Sequence, residues 1–439
     1  MIPSVAIGLI SLAGFIILIF CGIPVSVCMM ICGVGGCMFL LTVPSSAINF
    51  LSDSFVYTFT GYTTSVIPMF MLMGEIASAS GIGTNLFKST QIIAGRINGS
   101  LASAVQVACA VFGAICGSGG ATASLMSRVA YPEMKRYGYS DELAVGCIAS
   151  GASLATLIPP SLTLIAFGIA AEESIGKLFM GGVFTGLVLM VLFIIVIQIW
   201  CIVKPDAAPK AEATSMNAKL KAVREGSFIE IILVFGLSMG GMFAGWFTPT
   251  EAGAVGVFGM LIVSLLTRRL TFKLLFKAVE NTLVMSGMIY CLLAGAGVLG
   301  KLFTLSRIPI LLGDFVMGLE IPTALIIFVI TLIYLILGCF IDVLPLVLLT
   351  TPIFLPVVQA LGYSAVWFGC YVVVVGGLGA ITPPVGMSCY VVAGTCEPKV
   401  PLQRVFKGSV PFIFAFLGMT FIMSFFPDIA TWLPNVVFG

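Results

Sequence analysis

Apolar stretches long enough to cross a bilayer follow one another along almost the whole of this chain. A crossing helix needs about 20 consecutive apolar residues. Ten segments answer to that description: 3–20, 22–43, 62–83, 142–170, 178–203, 228–247, 250–267, 281–300, 363–395 and 409–427. Two further stretches, 98–127 and 322–356, are too long for one crossing and are interrupted near their centres by Gly, Ser, Asp or Pro. They are expected to form re-entrant hairpins, because irregular backbone at that depth persists only when buried in protein or lining a cavity. Charged residues make up 9% of the chain, far below the roughly 25% of a soluble domain. The fold class expected is therefore an all-α polytopic membrane protein with lipid bilayer as its solvent.

The same composition excludes several functions. A net charge of +2 offers no field for nucleic acid. The chain has no histidine, which removes Ser–His and Cys–His catalysis, histidine zinc sites and His-ligated haem. Its 13 cysteines include no CxxC pair, the nearest approach being Cys28 and Cys32 in an apolar run; they are expected as buried free thiols. No basic residue precedes the run 3–20, so it is read as a first crossing and not a cleaved signal peptide. An enzyme is not expected.

Charge sets the orientation. With the polar segment 204–227 in the cytoplasm, following the crossings both ways puts 17 of the 20 basic residues on the cytoplasmic side and leaves Lys177, Lys301 and Arg307 outside. That is the bias the positive-inside rule demands, and both termini then lie outside. Segment 268–280 alternates basic and apolar residues at helical spacing and is expected as an amphipathic helix on the cytoplasmic surface, with 44–56 as its less charged counterpart. Glu251, after Thr248-Pro249-Thr250, reads as part of a helix cap.

An offset of 224 residues carries Pro132 onto Pro356, Gly138-Tyr139-Ser140 onto Gly362-Tyr363-Ser364, Pro159-Pro160 onto Pro383-Pro384 and Glu173 onto Glu397. Residues 1–203 and 228–439 are thus read as two copies of one unit, joined by the linker 204–227. Each copy holds five crossings plus one hairpin. Five is odd, so the second copy is expected upside down: the first hairpin opens from the cytoplasm beside Arg96 and Arg128, the second from outside beside Asp314 and Glu320. Inverted repeats with broken helices meeting at mid-membrane are an architecture of secondary transporters.

Four polar interruptions at that depth are the candidate machinery: Gly117–Ser124 in the first hairpin, Ile341–Pro345 in the second, Thr156–Ser161 in crossing 142–170 and Gly376–Gly386 in crossing 363–395. The double prolines, Pro159-Pro160 and Pro383-Pro384, remove N–H donors and break the helix, freeing carbonyls that a cation can satisfy. Glycines such as Gly386 let backbone turn tightly beside a ligand. Half-helix N-termini favour an anion at the same place. Asp342, a carboxylate at membrane depth, is costly and a functional candidate by default; a cation-linked or tip-organising role suits it better than contact with an anion.

Several of these motifs carry a resemblance. Gly117-Ser118-Gly119, Pro132-Glu133-Met134, Gly138-Tyr139, Leu157-Ile158-Pro159-Pro160-Ser161, Ser174-Ile175-Gly176-Lys177-Leu178-Phe179 and Thr382-Pro383-Pro384-Val385-Gly386 resemble the large membrane subunit of tripartite ATP-independent periplasmic (TRAP) transporters over nearly the whole chain. The resemblance implies a sodium-driven importer of an organic anion, such as a carboxylate or sugar acid, in the bacterial inner membrane. It also implies an elevator-type ion transporter fold, in which hairpins and broken helices form a core that slides against a scaffold. The implied partners are a small four-helix membrane subunit and a periplasmic solute-binding protein. Carried over by position, one sodium site involves Ser118, Gly119, Ser153 and Thr156, and the other Asp342, Gly376, Gly379, Thr382 and Met387. Substrate would lie between them, near Ser118, Thr122, Ser161 and Thr382. The chain departs from the family at Val375 and Gly377, where many members have Asn and often Glu. A self-sufficient secondary anion transporter of the same superfamily is the alternative reading.

Overall fold

The computed structural model describes residues 4–94, 99–209, 217, 222, 226–318 and 321–438. Most of the linker 204–227, with Lys210, Lys219, Lys221 and Arg224, lies outside the described residues, as do Arg96 and Glu320. Among the described residues there are helices and no strands. In chain order we number them α1 (Ser4–Phe20), α2 (Val25–Leu40), α3 (Ser46–Thr60), α4 (Val66–Ala79), α5 (Ile82–Ala94), α6 (Ser100–Cys116), α7 (Gly119–Arg136), α8 (Asp141–Leu157), α9 (Leu162–Ala170) and α10 (Ile175–Val203). The second half contains α11 (Phe228–Phe243), α12 (Pro249–Leu266), α13 (Phe272–Ser306), α14 (Ile308–Gly318), α15 (Thr323–Gly338), α16 (Val343–Ala360), α17 (Ala365–Ile381), α18 (Met387–Thr395), α19 (Leu402–Phe425) and α20 (Asp428–Phe438).

Five of these helices, α10, α12, α13, α16 and α19, are long and apolar enough to cross a bilayer; counting two bent helix pairs as single spans brings the number to seven. The bends are 67° at α4–α5 and 42° at α8–α9. Other expected crossings, including α1, α2 and α17, are apolar but have 16 or 17 residues. Large apolar side chains such as Ile17, Phe39, Ile202, Leu233, Phe258 and Phe421 are exposed, as suits helices facing hydrocarbon.

The expected surface arm 268–280 takes a different form. Its residues from Phe272 onward begin α13, which runs for 35 residues without a break, about 52 Å at helical rise and longer than the hydrocarbon core. The counterpart α3 is a separate helix, ended by Gly61 before a short 3-10 turn leads into α4. At the equivalent place the second half has Met285-Ser286-Gly287-Met288-Ile289. A lone glycine costs only about 1 kcal/mol in a helix, so nothing there stops α13.

Helix starts follow local chemistry. Ser140 and Ser364, one offset apart, cap α8 and α17 by accepting from the N–H groups of Leu143 and Trp367. Thr248 and Glu251 form the expected capping box, the Glu251 carboxylate accepting from the Thr248 N–H at 2.8 Å. Glu75 on α4 accepts from Asn281 on α13 at 2.9 Å. All 13 cysteines are free and most are buried.

Packing between the halves comes in matched pairs. α2 lies on α13 and α4 on α12; α9 lies on α16 and α18 on α7; α8 lies on α19 and α10 on α17. The α8–α19 contact is a backbone approach at Gly146 and Gly408: a Cβ on Gly146 would fall 2.1 Å from the Gly408 carbonyl oxygen. One end of this contact is held by Asp141, which accepts from the Tyr131 hydroxyl at 2.9 Å, Lys135 Nζ at 2.7 Å and Arg404 Nη1 at 2.7 Å. Asp141→Ala leaves the buried Tyr131 hydroxyl without its acceptor, while Lys135 and Arg404 turn to water, and is expected to cost about 1–3 kcal/mol. Arg404→Ala removes one exposed partner and is expected to cost less than about 1 kcal/mol. Thermal unfolding of the two variants in detergent checks the order.

Candidate functional site

Both hairpins turn at short polar tips. In the first, α6 ends at Cys116 and Gly117 takes the left-handed conformation, φ 62°, which glycine tolerates without steric cost. Ser118 then caps α7, its hydroxyl accepting from the Ala121 N–H. In the second, Cys339 to Asp342 make the turn, and the Asp342 carboxylate caps α16 by accepting from the Val343 N–H at 2.9 Å. Ser118 and Asp342 are one offset apart in the sequence, so equivalent positions start the returning arm of each hairpin.

Each tip rests on the break of its own half. The Leu162 N–H, at the start of α9, donates to the Gly117 carbonyl at 3.3 Å; the Gly386 N–H, just before α18, donates to the Cys339 carbonyl at 3.1 Å. Cys339 Sγ also donates to the Pro383 carbonyl at 3.4 Å. The Pro159–Pro160 and Pro383–Pro384 bonds are both cis. The two breaks differ in cover: Pro159 and Pro160 are buried, while Pro383 and Pro384 are exposed.

A cavity of about 370 Å³ opens between the two tips. Its polar side consists of Gly117–Gly120 and Asp342 from the tips, Ser153 and Thr156 from α8, Thr163 from α9 and Ser388 from α18. The opposite wall comes from α2, α4 and α13, with the Ser26 hydroxyl group among the apolar side chains of Met71, Met285, Met288, Ile289 and Leu292. The cavity therefore lies at the boundary between the hairpin-and-break elements and a second set of helices, α2, α4 and α13.

Of the residues singled out in the sequence, Ser118, Gly119, Ser153, Thr156 and Asp342 line this one cavity. The Asp342 carboxylate is exposed there and Ser153 is 5% exposed. Ser153 Oγ has no hydrogen-bond partner, an unusual state for a buried hydroxyl. Together these groups offer hydroxyl, carboxylate and carbonyl oxygens, a donor set suited to a hard cation. No group of three or more His, Cys, Asp or Glu capable of holding a metal occurs among the described residues.

The remaining candidates do not line the cavity. Thr122 donates to the Ser118 carbonyl at 2.9 Å and lies 3.2 Å from Cys116 Sγ. Ser161 caps α9, accepting from Leu164 N–H and donating to the Thr156 carbonyl. Gly376 and Gly379 serve close packing, Gly376 against Val343 and Gly379 against Gly338 on α15. The Thr382 hydroxyl donates back to the Leu378 carbonyl at 2.6 Å, and Met387 is 37% exposed beside the open break. Thr163, Ser388 and the methionine wall carried no signal in the sequence, since they sit in regular apolar helix.

Gly120 marks where a ligand has room. It lines the cavity, and a Cβ built on it meets nothing within 4 Å. Gly120→Ala and Gly120→Val are therefore expected to fold normally, with the alanine neutral or stabilising by up to about 1 kcal/mol. The valine is expected to cut uptake at least tenfold by occupying ligand space, an effect on the scale of misplaced substrate. Uptake and melting temperature measured on the same preparations check both parts.

Residues 12–429 match the family described as "Tripartite ATP-independent periplasmic transporter, DctM component". The chain is 30% identical to the "C4-dicarboxylate TRAP transporter large permease protein DctM" of Vibrio cholerae, over 99% of this chain and 98% of that protein. It is 27% identical to the "Sialic acid TRAP transporter large permease protein SiaM" of the same organism, over 98% and 99% of the two chains. Among solved structures, the Alcanivorax borkumensis YdaH transporter aligns with a TM-score of 0.59 at 15% identity, covering 88% of this chain and 90% of that one; this likeness concerns the fold.

Proposed function

Since this chain belongs to the DctM-component family of tripartite ATP-independent periplasmic transporters, we propose that it is the large permease subunit through which an organic anion enters the cell, coupled to sodium. The observation that carries the reading is the cavity: two hairpin tips and two helix breaks, four separate polar interruptions of an apolar chain, come together there, with Ser118, Thr156 and Asp342 among its lining residues.

In this reading one sodium ion is held near Ser118, Gly119, Ser153 and Thr156. The other is held near Asp342, with carbonyls freed at the second break around Gly376, Gly379, Thr382 and Met387. The anion sits between, facing the N-terminus of α7, where unbonded N–H groups favour negative charge. The matched helix contacts and the recurrence of helix boundaries at the 224-residue offset support two repeats, inverted by the odd number of crossings in each. The hairpins and breaks form the moving core of an elevator, and α2, α4, α12 and α13 its frame, which is why the cavity lies between the two sets. The chain is placed in the bacterial inner membrane with both termini periplasmic, working with a small four-helix membrane subunit and a periplasmic solute-binding protein.

Reconstitution tests the partnership. Proteoliposomes holding this chain with its small subunit are expected to accumulate substrate only when the loaded binding protein is added outside. Accumulation by this chain alone would contradict the proposal and favour a self-sufficient transporter.

A further inference from the structure

The Gly-Tyr-Ser motif occurs twice, at 138–140 and 362–364, and only the first copy is covered. There the start of the linker lies over the turn between α7 and α8. The Ser140 N–H donates to the Ala207 carbonyl at 3.0 Å, and a Cβ built on Gly138 would meet Pro209 at 3.5 Å. Ala207 and Ala208 are buried. The covering stretch, Lys204–Pro209, is one 3-10 turn followed by extended backbone at Ala208.

The 224-residue offset carries 204–209 onto 428–433. In the second half those positions are coiled into the first turns of α20, which packs chiefly on α10. The turn between α16 and α17 is left open. A Cβ built on Gly362 meets nothing within 4 Å, and the Ser364 N–H has no carbonyl partner among the described residues. A groove of about 630 Å³ runs between this turn and α20, with Gly362, Ser364, Asp428 and Asn435 on its banks and Glu173 and Lys177 at the entry to α10. Two carboxylates against one ammonium leave its lining net negative. In the orientation given above, the groove opens on the outer face.

A free main-chain N–H beside an unfilled groove suits an extended segment, which binds through its backbone and seats its side chains alongside. Resting on the reading that this chain works with a periplasmic solute-binding protein, we propose that the groove receives an extended segment of that protein. The segment is laid against Gly362–Ser364 as Lys204–Pro209 is laid against Gly138–Ser140. One of its carbonyls accepts from the Ser364 N–H, and one basic side chain faces Glu173 and Asp428. The turn joins α16, which starts at the second hairpin tip, to α17, which ends at the second break. Docking here therefore attaches the binding protein to the hairpin-and-break elements and not to the frame.

The test is uptake by proteoliposomes holding the complete complex under an inward sodium gradient, measured against the concentration of loaded binding protein. Asn435 is exposed. Asn435→Trp fills the groove and should raise the half-saturating concentration about tenfold, as a built-in clash does. Val436, the next residue, is 64% exposed and outside the groove, and Val436→Trp should behave as wild type. Ser364 has φ −75°, which suits proline. Ser364→Ala removes the hydroxyl cap and keeps the N–H; Ser364→Pro removes both. Only the proline should raise the half-saturating concentration, by about two- to tenfold, the worth of one hydrogen bond. Asp428→Asn should raise it about threefold at low ionic strength and less at high; no effect at either would overturn the basic side chain. The maximum rate should hold in every variant, and melting temperatures on the same preparations check folding. Equal effects of Asn435→Trp and Val436→Trp, or half-saturation unmoved by both Asn435→Trp and Ser364→Pro, would overturn the proposal and leave the binding-protein reading standing. Uptake that ignores the binding protein altogether would sink that reading and this inference with it.

Discussion

Asp342→Asn is expected to abolish sodium-driven uptake while leaving the protein folded. The carboxylate does two things that this substitution separates. It accepts from the Val343 N–H and so caps α16, and it places a negative charge on the cavity lining. Asparagine caps a helix as well as aspartate does, so the second hairpin should keep its start. The charge is lost, and with it the strongest oxygen ligand for a cation in a low-dielectric site. Loss of groups that merely orient a metal ligand lowers affinity about 10–100-fold, so if Asp342 ligates sodium as proposed, its removal should lower sodium affinity at least tenfold. Asp342→Ala removes the cap as well and should add a stability loss of about 1 kcal/mol. Sodium dependence of uptake and melting temperature, measured for both variants, resolve the two roles. Wild-type sodium dependence in Asp342→Asn would reduce the residue to a helix cap.

Gly408→Val is expected to have the largest effect on stability. A Cβ at position 408 would lie 2.1 Å from the carbonyl oxygen of Glu142 and 3.0 Å from its carbonyl carbon. These are backbone atoms of α8, so no side-chain rotation relieves the clash, and the two helices must separate. Overpacking of a close-packed interior costs about 1–3 kcal/mol. Gly408→Ala should fall at the top of that range and the valine beyond it, appearing as aggregation or a large drop in melting temperature in detergent. Gly418→Ala is the control on the same helix: a Cβ there meets nothing within 4 Å, and the variant should melt with the wild type. In membranes, where no hydrophobic force separates helix from lipid, such small-residue contacts are what hold helices together.

Much of the fold was legible because membrane depth makes every polar interruption conspicuous. Gly117-Ser118, Asp342, and both double prolines stand out against apolar sequence, and they do fall at turns and breaks between helices. The candidate site was legible only in part, because the sequence does not say where a hydroxyl points. Ser153 and Thr156 line the cavity and Ser161 and Thr382, equally prominent in their motifs, do not, although the hydroxyls of Thr156, Ser161 and Thr382 all donate to nearby backbone carbonyls. The frame wall was invisible for the opposite reason: Met71, Met285 and Met288 look like any apolar helix positions, and only tertiary packing turns them toward the tips. The length of α13 was missed because alternating charge at 268–280 suggests a surface helix, and only the absence of a breaker before Gly287 indicates that it continues into the membrane.

The central claim is that the cavity between the hairpin tips is a sodium-coupled transport site. The most direct measurement is substrate uptake into proteoliposomes containing the complete complex, with an imposed inward sodium gradient, compared with the same vesicles holding equal sodium on both sides. The account predicts accumulation above the outside concentration with the gradient, none without it, and none in Gly120→Val under either condition. Accumulation that ignores the sodium gradient, or survives intact in Gly120→Val, would contradict it.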